Sequence, residues 1–331
     1  MHLVKILGDT NRDLKYGLLL RRSGQILLFA GPAIVAGILG LLAVAFPSLE
    51  NPGVASSLLL FVIAPLGFLL SIFLAFKIMY MGKQYEARGK AAPSQADTRQ
   101  PVLYLRPFMV DEVVTGLFWI MLFKTGMWPS FFSVEEQLAV AVDPIGPLVA
   151  IGKPDEQLPT PGAVRRYFDD STWQNIVQTW LSKARVIILR PGMSEGLWWE
   201  LREAVATMHA ESLLLLVLKM KQANYLTFSQ LVNDRLGIRL PNFNEVSRWR
   251  RASGFIEFNA TWRARFLPLK APFLRTEPYM PLRATFNHTL QPIFTRLGVS
   301  WHPSPLSKFK LLVIGLGVLL LVLFTVGFLA D

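Results

Sequence analysis

The sequence predicts an α/β domain with a doubly wound parallel sheet, held at a membrane by three transmembrane helices. Three observations carry the prediction. Segments of about twenty uncharged, apolar residues lie near both ends of the chain. Between them, short apolar runs alternate with stretches of helical period. Those runs are apolar at every position rather than at alternate ones, which marks strands buried on both faces of a sheet covered by helices.

Composition agrees. Of 331 residues, 52% are hydrophobic and 17% are charged, against about 25% charged in an ordinary soluble domain. The net charge of +11 does not call for a nucleic-acid partner. Lys5, Arg12, Lys15, Arg21, Arg22, Lys77, Lys83, Lys308 and Lys310 all flank apolar segments, where cytoplasmic loops and anionic headgroups favour cations. There is no cysteine, which excludes disulfides, thiolate metal sites and a cysteine nucleophile.

The apolar segments are 26–46 (ILLFAGPAIVAGILGLLAVAF), 53–76 and 311–330. Each can cross a hydrocarbon core of about 30 Å as a helix, and Pro32 and Pro65 are tolerated in such helices. The first is not expected to be a cleaved signal: its apolar run is too long, and Asp9 and Asp13 precede it. Basic residues flank the N-terminal stretch and the chain after Phe76, whereas 47–55 has none. The positive-inside rule then makes the N-terminus cytoplasmic and the first two helices a hairpin, with Lys308 and Lys310 at the inner base of the third. The expected divisions are a cytoplasmic segment 1–24, a hairpin 25–80, a linker 81–100, a cytoplasmic domain 101–307 and a last helix 308–331.

One segment needs its own reading. Residues 113–132 are apolar but interrupted by Lys124, Gly126 and Pro129. If they spanned, the basic base of the last helix would face outward. They read equally as a helix in the membrane interface, with Trp119 and Trp128 at headgroup depth, or as a cap buried on the domain.

Within the domain, 102–108 (VLYLRPF) reads as a strand and 133–142 (SVEEQLAVAV) as a helix opened by a capping box. Residues 147–152 are a second strand and 153–170 a Pro/Gly-rich loop. A helix follows to 184, with Trp173, Ile176, Val177, Trp180 and Leu181 on one face. Residues 185–189 are a third strand, 197–208 a helix and 212–218 a fourth strand. Beyond these, 228–236 is helical in pattern and 254–258 reads as a last strand.

Ligands of open parallel sheets sit outside the carboxyl ends of the strands. Arg106, Phe108 and Asp111 follow the first strand, Gly152, Lys153 and Pro154 the second, and Arg190, Gly192 and Ser194 the third. The loop carrying Gly162, Arg165, Arg166, Asp169 and Asp170 overhangs the same edge. Glu200, beside Trp198 and Trp199 in GLWWELREAV, is placed in a helix's first turn, where a carboxylate either reaches a ligand or simply complements the helix dipole. The chain has no GxGxxG, no phosphate-cradling GxxxxGK[ST] and no GxSxG, and its four histidines have no metal-ligand spacing. No metal or bound cofactor is expected.

A strand running into an Asp (VLYLRPFMVD), a Pro/Gly loop after the second strand (KPDEQLPTPGA) and a strand–turn–helix with Trp-Glu-Leu (RVIILRPGMSEGLWWEL) together resemble a Toll/interleukin-receptor-like (TIR-like) domain. The resemblance covers about 102–218 and implies a flavodoxin-like sheet in a membrane-anchored protein of the bacterial inner-membrane type. It implies that Glu200 contacts the ribose of NAD as substrate, with nicotinamide as leaving group and a carboxylate stabilising an oxocarbenium-like transition state. Arg106, Phe108, Asp111, Lys153, Gly162, Arg190, Trp198 and Trp199 would bind the ligand, with an indole stacking on a ring. It also implies self-association through the loop 153–163. Two departures stand out. The insert 113–132 is unusual for the family, and the Trp-to-Glu spacing is shorter than its common form. Many TIR-like relatives are non-enzymatic scaffolds, and the related nucleoside-deoxyribosyltransferase fold also places a Glu near this position.

Overall fold

The computed structural model describes residues 10–45, 64–89, 97–107, 132–152, 161–166, 173–248, 251–272 and 280–304, with the single positions 306, 311 and 315. The chain divides into two compact units, 1–94 with 155–161, and 95–154 with 162–331.

The first unit is a pair of helices, α1 (Thr10–Ala45) and α2 (Ala64–Gly89). Each holds a stretch long and apolar enough to cross a membrane, Arg12–Ile38 and Leu66–Arg88. They run antiparallel, and glycine sets their approach. Gly17, Gly24 and Gly31 recur every seven residues and so present one seam to α2. A Cβ at Gly17 would lie 2.6 Å from the Gly82 carbonyl oxygen, and one at Gly24 2.8 Å from that of Ala75. The polar end of the pair is locked by charge. Buried Asp13 accepts from Arg88 Nε at 2.7 Å and Nη2 at 2.5 Å, and Arg21 pairs with Glu86 at 3.4 Å.

These helices differ in extent from the expected ones. α1 is described from Thr10, so 10–24 continues the first apolar segment as helix, and α2 is described from Ala64, the expected stretch 53–63 lying outside the described residues. α2 also runs through 81–89, half of the expected linker: 81–88 has no proline, its glycine Gly82 is packed against α1, and Arg88 is held by Asp13. Apart from the single positions 311 and 315, the third spanning segment (311–330) lies outside the described residues, as does the insert through 131.

The second unit is an α/β sheet domain with strands β1 (Val102–Leu105), β2 (Leu148–Ile151), β3 (Val164–Arg166), β4 (Val186–Leu189), β5 (Leu213–Lys221), β6 (Ser247–Arg248), β7 (Arg251–Phe258) and β8 (Ala264–Pro268). Their order is β3-β2-β1-β4-β5-β7, with β6 and β8 both pairing β7. β3 to β5 are mutually parallel along that order. β7 is antiparallel to β5, and β6 and β8 are antiparallel to β7. The sheet is therefore mixed, which corrects the expectation of a wholly parallel one. β7 and β8 are joined by the short turn 259–263, too brief for the crossover that a parallel pair requires. Asn259 Oδ1 closes that turn, accepting from the Thr261 and Arg263 amides at 3.0 and 2.9 Å. β3 is a second correction, a short edge strand inside the stretch 153–170 expected to be loop.

Helices cover both faces, as the apolar strands demanded. On one face lie α4 (Trp173–Lys183), α5 (Glu195–Thr207), α6 (Gln222–Leu236) and the short α7 (Phe243–Val246), packed on Leu103, Leu105, Ile187, Leu189 and Leu215. On the other lie α3 (Val134–Val142), α8 (Pro281–Thr289) and α9 (Gln291–Arg296), packed on Val102, Tyr104, Val186, Ile188 and Leu214. The odd–even split of each strand between the two clusters is the period of two that a pleated strand imposes.

Candidate functional site

β1 lies at the centre of its neighbours. The chain leaves it toward β2 and β3 on one side, then crosses to β4 on the other. The gap between the carboxyl ends of β1 and β4 is thus the topological switch point, where open α/β sheets hold ligands. Residues 106–107 and 190–194 form its rim. The Arg190 amide donates to the Leu105 carbonyl at 2.8 Å, and Gly192 sits so close to Pro107 that a Cβ there would lie 2.2 Å from the proline Cγ. Only glycine allows the two loops to abut in this way.

Alternation along the strands decides where each candidate goes. Val102 and Tyr104 face α3, so Arg106 continues that face, and Arg190 follows Val186 and Ile188 onto it. The register aligns Leu105 with Leu189, which puts Arg106 beside Arg190. Between Arg106 and the chain after β2 stands Glu135, a buried carboxylate on the first turn of α3. Its Oε2 is 3.3 Å from Arg106 Nε, and its Oε1 accepts the Ala163 amide at 3.2 Å. Gly162, at φ 135°, lies against the same turn, and a Cβ there would be 2.5 Å from the Glu136 nitrogen. The turn itself is rigid. Ser133 Oγ accepts from the Glu136 amide at 3.0 Å and Glu136 Oε2 accepts from the Ser133 amide at 2.7 Å, the capping box read from SVEE.

Glu200 lies in the opposite layer. α5 begins at Glu195, two residues before the expected start, so Glu195 rather than Glu200 occupies the first turn and complements the dipole. Glu200 falls in the second turn, on the helical arc between core residues Leu197 and Ala204 and the α4-facing Trp199 and Glu203. It is 5% exposed. Among the described residues no group donates to its carboxyl, and burial alone pushes that carboxyl up to about 8. A carboxyl in this position is protonated at neutral pH.

Both indoles beside it are engaged by the protein. Trp198 is buried against Phe228 at 5.3 Å between ring centroids, with the Arg235 guanidinium 5.2 Å from its ring. Trp199 meets Trp173 edge-on at 4.7 Å. The structure therefore brings Arg106 and Gly162 against the turn that carries Glu135, with Arg190 beside Arg106 by register, and places Glu200, Trp198 and Trp199 across the sheet from them. Phe108, Asp111 and Lys153 lie outside the described residues, as do the ends of the loop carrying Arg165 and Arg166. Among the described residues no three His, Asp or Glu side chains gather as metal ligands. Sequence reasoning passed over Glu135. Its one signal was a second acidic residue in a first turn whose capping box needs only Glu136.

Set against known proteins, the chain matches no family model, no curated protein and no solved structure.

Proposed function

We propose that this chain is a membrane-anchored TIR-like effector whose cytoplasmic α/β domain acts at the carboxyl edge of its sheet on a nucleotide, cleaving NAD at the nicotinamide glycosidic bond through Glu200. The observation that carries the reading is Glu200 itself: a carboxyl 5% exposed, with no hydrogen-bond partner among the described residues, on the helix that follows β4. Burying an unpartnered carboxyl costs stability, and ligand-handling sites are where such a cost is retained. A neutral acid suits the resting domain. A cationic nicotinamide riboside arriving within about 6 Å favours the ionised form, and the carboxylate then stabilises the cation that develops as nicotinamide leaves.

The anchoring part of the proposal rests on α1 and α2. Their outer surface exposes Ile26, Phe29, Ile34, Leu41, Leu66 and Leu70, Phe29 at 80%. A helix pair turning that much apolar surface outward needs a hydrocarbon phase to cover it. The basic residues Arg12, Lys15, Arg21 and Arg22 gather toward one end of α1, as the cytoplasmic side of a multi-pass protein requires.

A second reading is a non-enzymatic module that self-associates through the loop after β2. The engagement of both Trp198 and Trp199 in protein ring contacts favours it, since packing within the domain accounts for both indoles. One experiment separates the two. Nicotinamide release from NAD is measured with full-length protein in liposomes, wild type beside Glu200→Gln. Release by wild type alone supports the enzyme. Equal release by both variants rejects Glu200 as the catalytic residue, and absence of release at high protein density, together with self-association sensitive to changes in 153–163, supports the module.

A further inference from the structure

The cations that flank the apolar segments leave one concentration of charge unexplained. From Ser212 to Asn233 and from Val246 to Ile256 the sequence has no Asp or Glu. The first stretch carries Lys219 and Lys221, and the second, through SRWRRA, carries Arg248, Arg250 and Arg251. The fold brings the two stretches together. Leu189 at the end of β4 pairs with Leu215, so 216–221 of β5 run on past the parallel sheet with β7 as their partner. In that projecting ribbon Lys221 pairs with Arg251, and Arg251 pairs with Arg248 across β7 and β6.

Three cationic positions therefore stand in one row across three neighbouring strands, over about 10 Å. Alternation decides their face. Met220 and its partner Ala252 pack in the core cluster under α6 and α7, so 221, 251 and 248 fall on the opposite face. Glu245, the acid that precedes the hairpin, lines a cleft with Leu240, Ala264 and Phe266 on the cluster's own face. Lys219 adds a fourth cation. The register shifts between Val217 and Met220, and Lys219 sits in that bulge at φ 48°, its amide donating to Ser253 Oγ at 2.9 Å. Bulges of this kind re-aim a side chain, and they recur beside functional sites. Lys219 and Lys221 are both exposed, and no ion pair holds either among the described residues.

Like charges directly opposed in a ladder weaken it. A row of them with no acid between is a local conflict of the sort that proteins keep at functional sites. It fits a partner whose negative charge repeats along its length, as the phosphates of a nucleic-acid strand do. Position separates that partner from the bilayer. The chain enters the domain at the amino edge of the sheet, where the Arg185 amide donates to the Pro101 carbonyl at 2.9 Å. The row lies at the other end of β5, a strand of nine residues, about 27 Å away. That is several times the screening length of about 8 Å at physiological salt.

We propose that the β5–β7–β6 row, with Lys219 beside it, binds the phosphodiester backbone of a single nucleic-acid strand. The contacts are to phosphates alone, so the strand is held without preference for its bases.

The test uses full-length protein in zwitterionic micelles and a fluorescein-labelled oligothymidine of about twelve nucleotides, read by anisotropy against empty micelles. The expected result is saturable binding whose logarithm falls with log salt at a slope of about −2 to −3, as three or four phosphate contacts require. Lys221→Glu should weaken it about fivefold or more. Lys183→Glu makes the same change of charge at an exposed lysine on α4 and should weaken it less than about twofold. Lys221→Glu also sets opposite charges across the register from Arg251, so the thermal midpoint should hold or rise. Should that variant fail to fold, Lys219→Glu, in the bulge, puts the same question to a residue outside the paired row. The readout needs no turnover, so it stands apart from the role proposed for Glu200. Absence of binding at about 50 mM salt, or equal weakening by Lys183→Glu, overturns the proposal. Displacement of the strand by short-chain phosphatidylserine at lower concentration than by unlabelled oligothymidine overturns the choice of partner in favour of lipid headgroups.

Discussion

Replacing Glu200 by Gln gives a stability curve whose shape depends on where that carboxyl sits. Burial raises it from 4.5 to about 8, so the folded protein holds a proton on Glu200 that the unfolded chain releases. The sign follows directly. Below pH 4.5 both states are protonated and the group imposes no pH-dependent penalty. As pH climbs from 4.5 to 8, the unfolded chain gains the ionised form and folding loses stability, until both states are ionised and the penalty levels off. At 1.36 kcal/mol per pH unit the loss over the window is about 5 kcal/mol, of which about 3 has accrued by pH 7. Glutamine keeps the shape and cannot titrate. The assay is denaturant unfolding in micelles, followed by tryptophan fluorescence at a series of pH values, with the variant subtracted from wild type so that all other titrations cancel. The difference curve should fall steadily between pH 4.5 and 8, making Glu200→Gln relatively more stable as pH rises. A flat difference, within about 1 kcal/mol across the window, would refute the view of Glu200 as a desolvated, protonated acid.

Three further outcomes follow from the geometry. Gly24→Leu forces a side chain into the Ala75 carbonyl and the Met79 side chain, so the thermal midpoint in micelles should fall by the equivalent of roughly 1–3 kcal/mol or more, whereas Gly37→Leu, with open space around it, should not lower it. Asp13→Ala strands the Arg88 guanidinium, whose side chain is 24% exposed, and should cost about 3 kcal/mol; the double variant Asp13→Ala, Arg88→Met should recover most of that loss, and failure to recover it would mean that packing rather than charge holds this end. Gly162→Ala meets both an unfavourable φ and the Glu136 nitrogen, so the denaturant midpoint should drop by the equivalent of roughly 1–3 kcal/mol, with no drop if the turn can shift away from α3.

The sequence by itself determined the elements whose cause is local. Unbroken apolar runs fixed β1, β2, β4 and β5 as strands buried on both faces, and SVEE fixed the start of α3, because burial pattern and capping are written in consecutive residues. The apolar segments at 26–46 and 53–76 announced two long helices, although the ion pair that joins them, between residues 75 positions apart, was not legible in either. The tertiary structure alone decided the rest. Whether β7 adds parallel or antiparallel is a matter of the path the chain takes, and neither strand's composition records it. The pairing of Arg106 with Glu135, and the placement of Glu200 in the other layer, follow from strand alternation combined with which helix covers which face. That information arises only when the sheet is assembled, because side chains distant in sequence acquire their partners, and lose their water, from the fold as a whole.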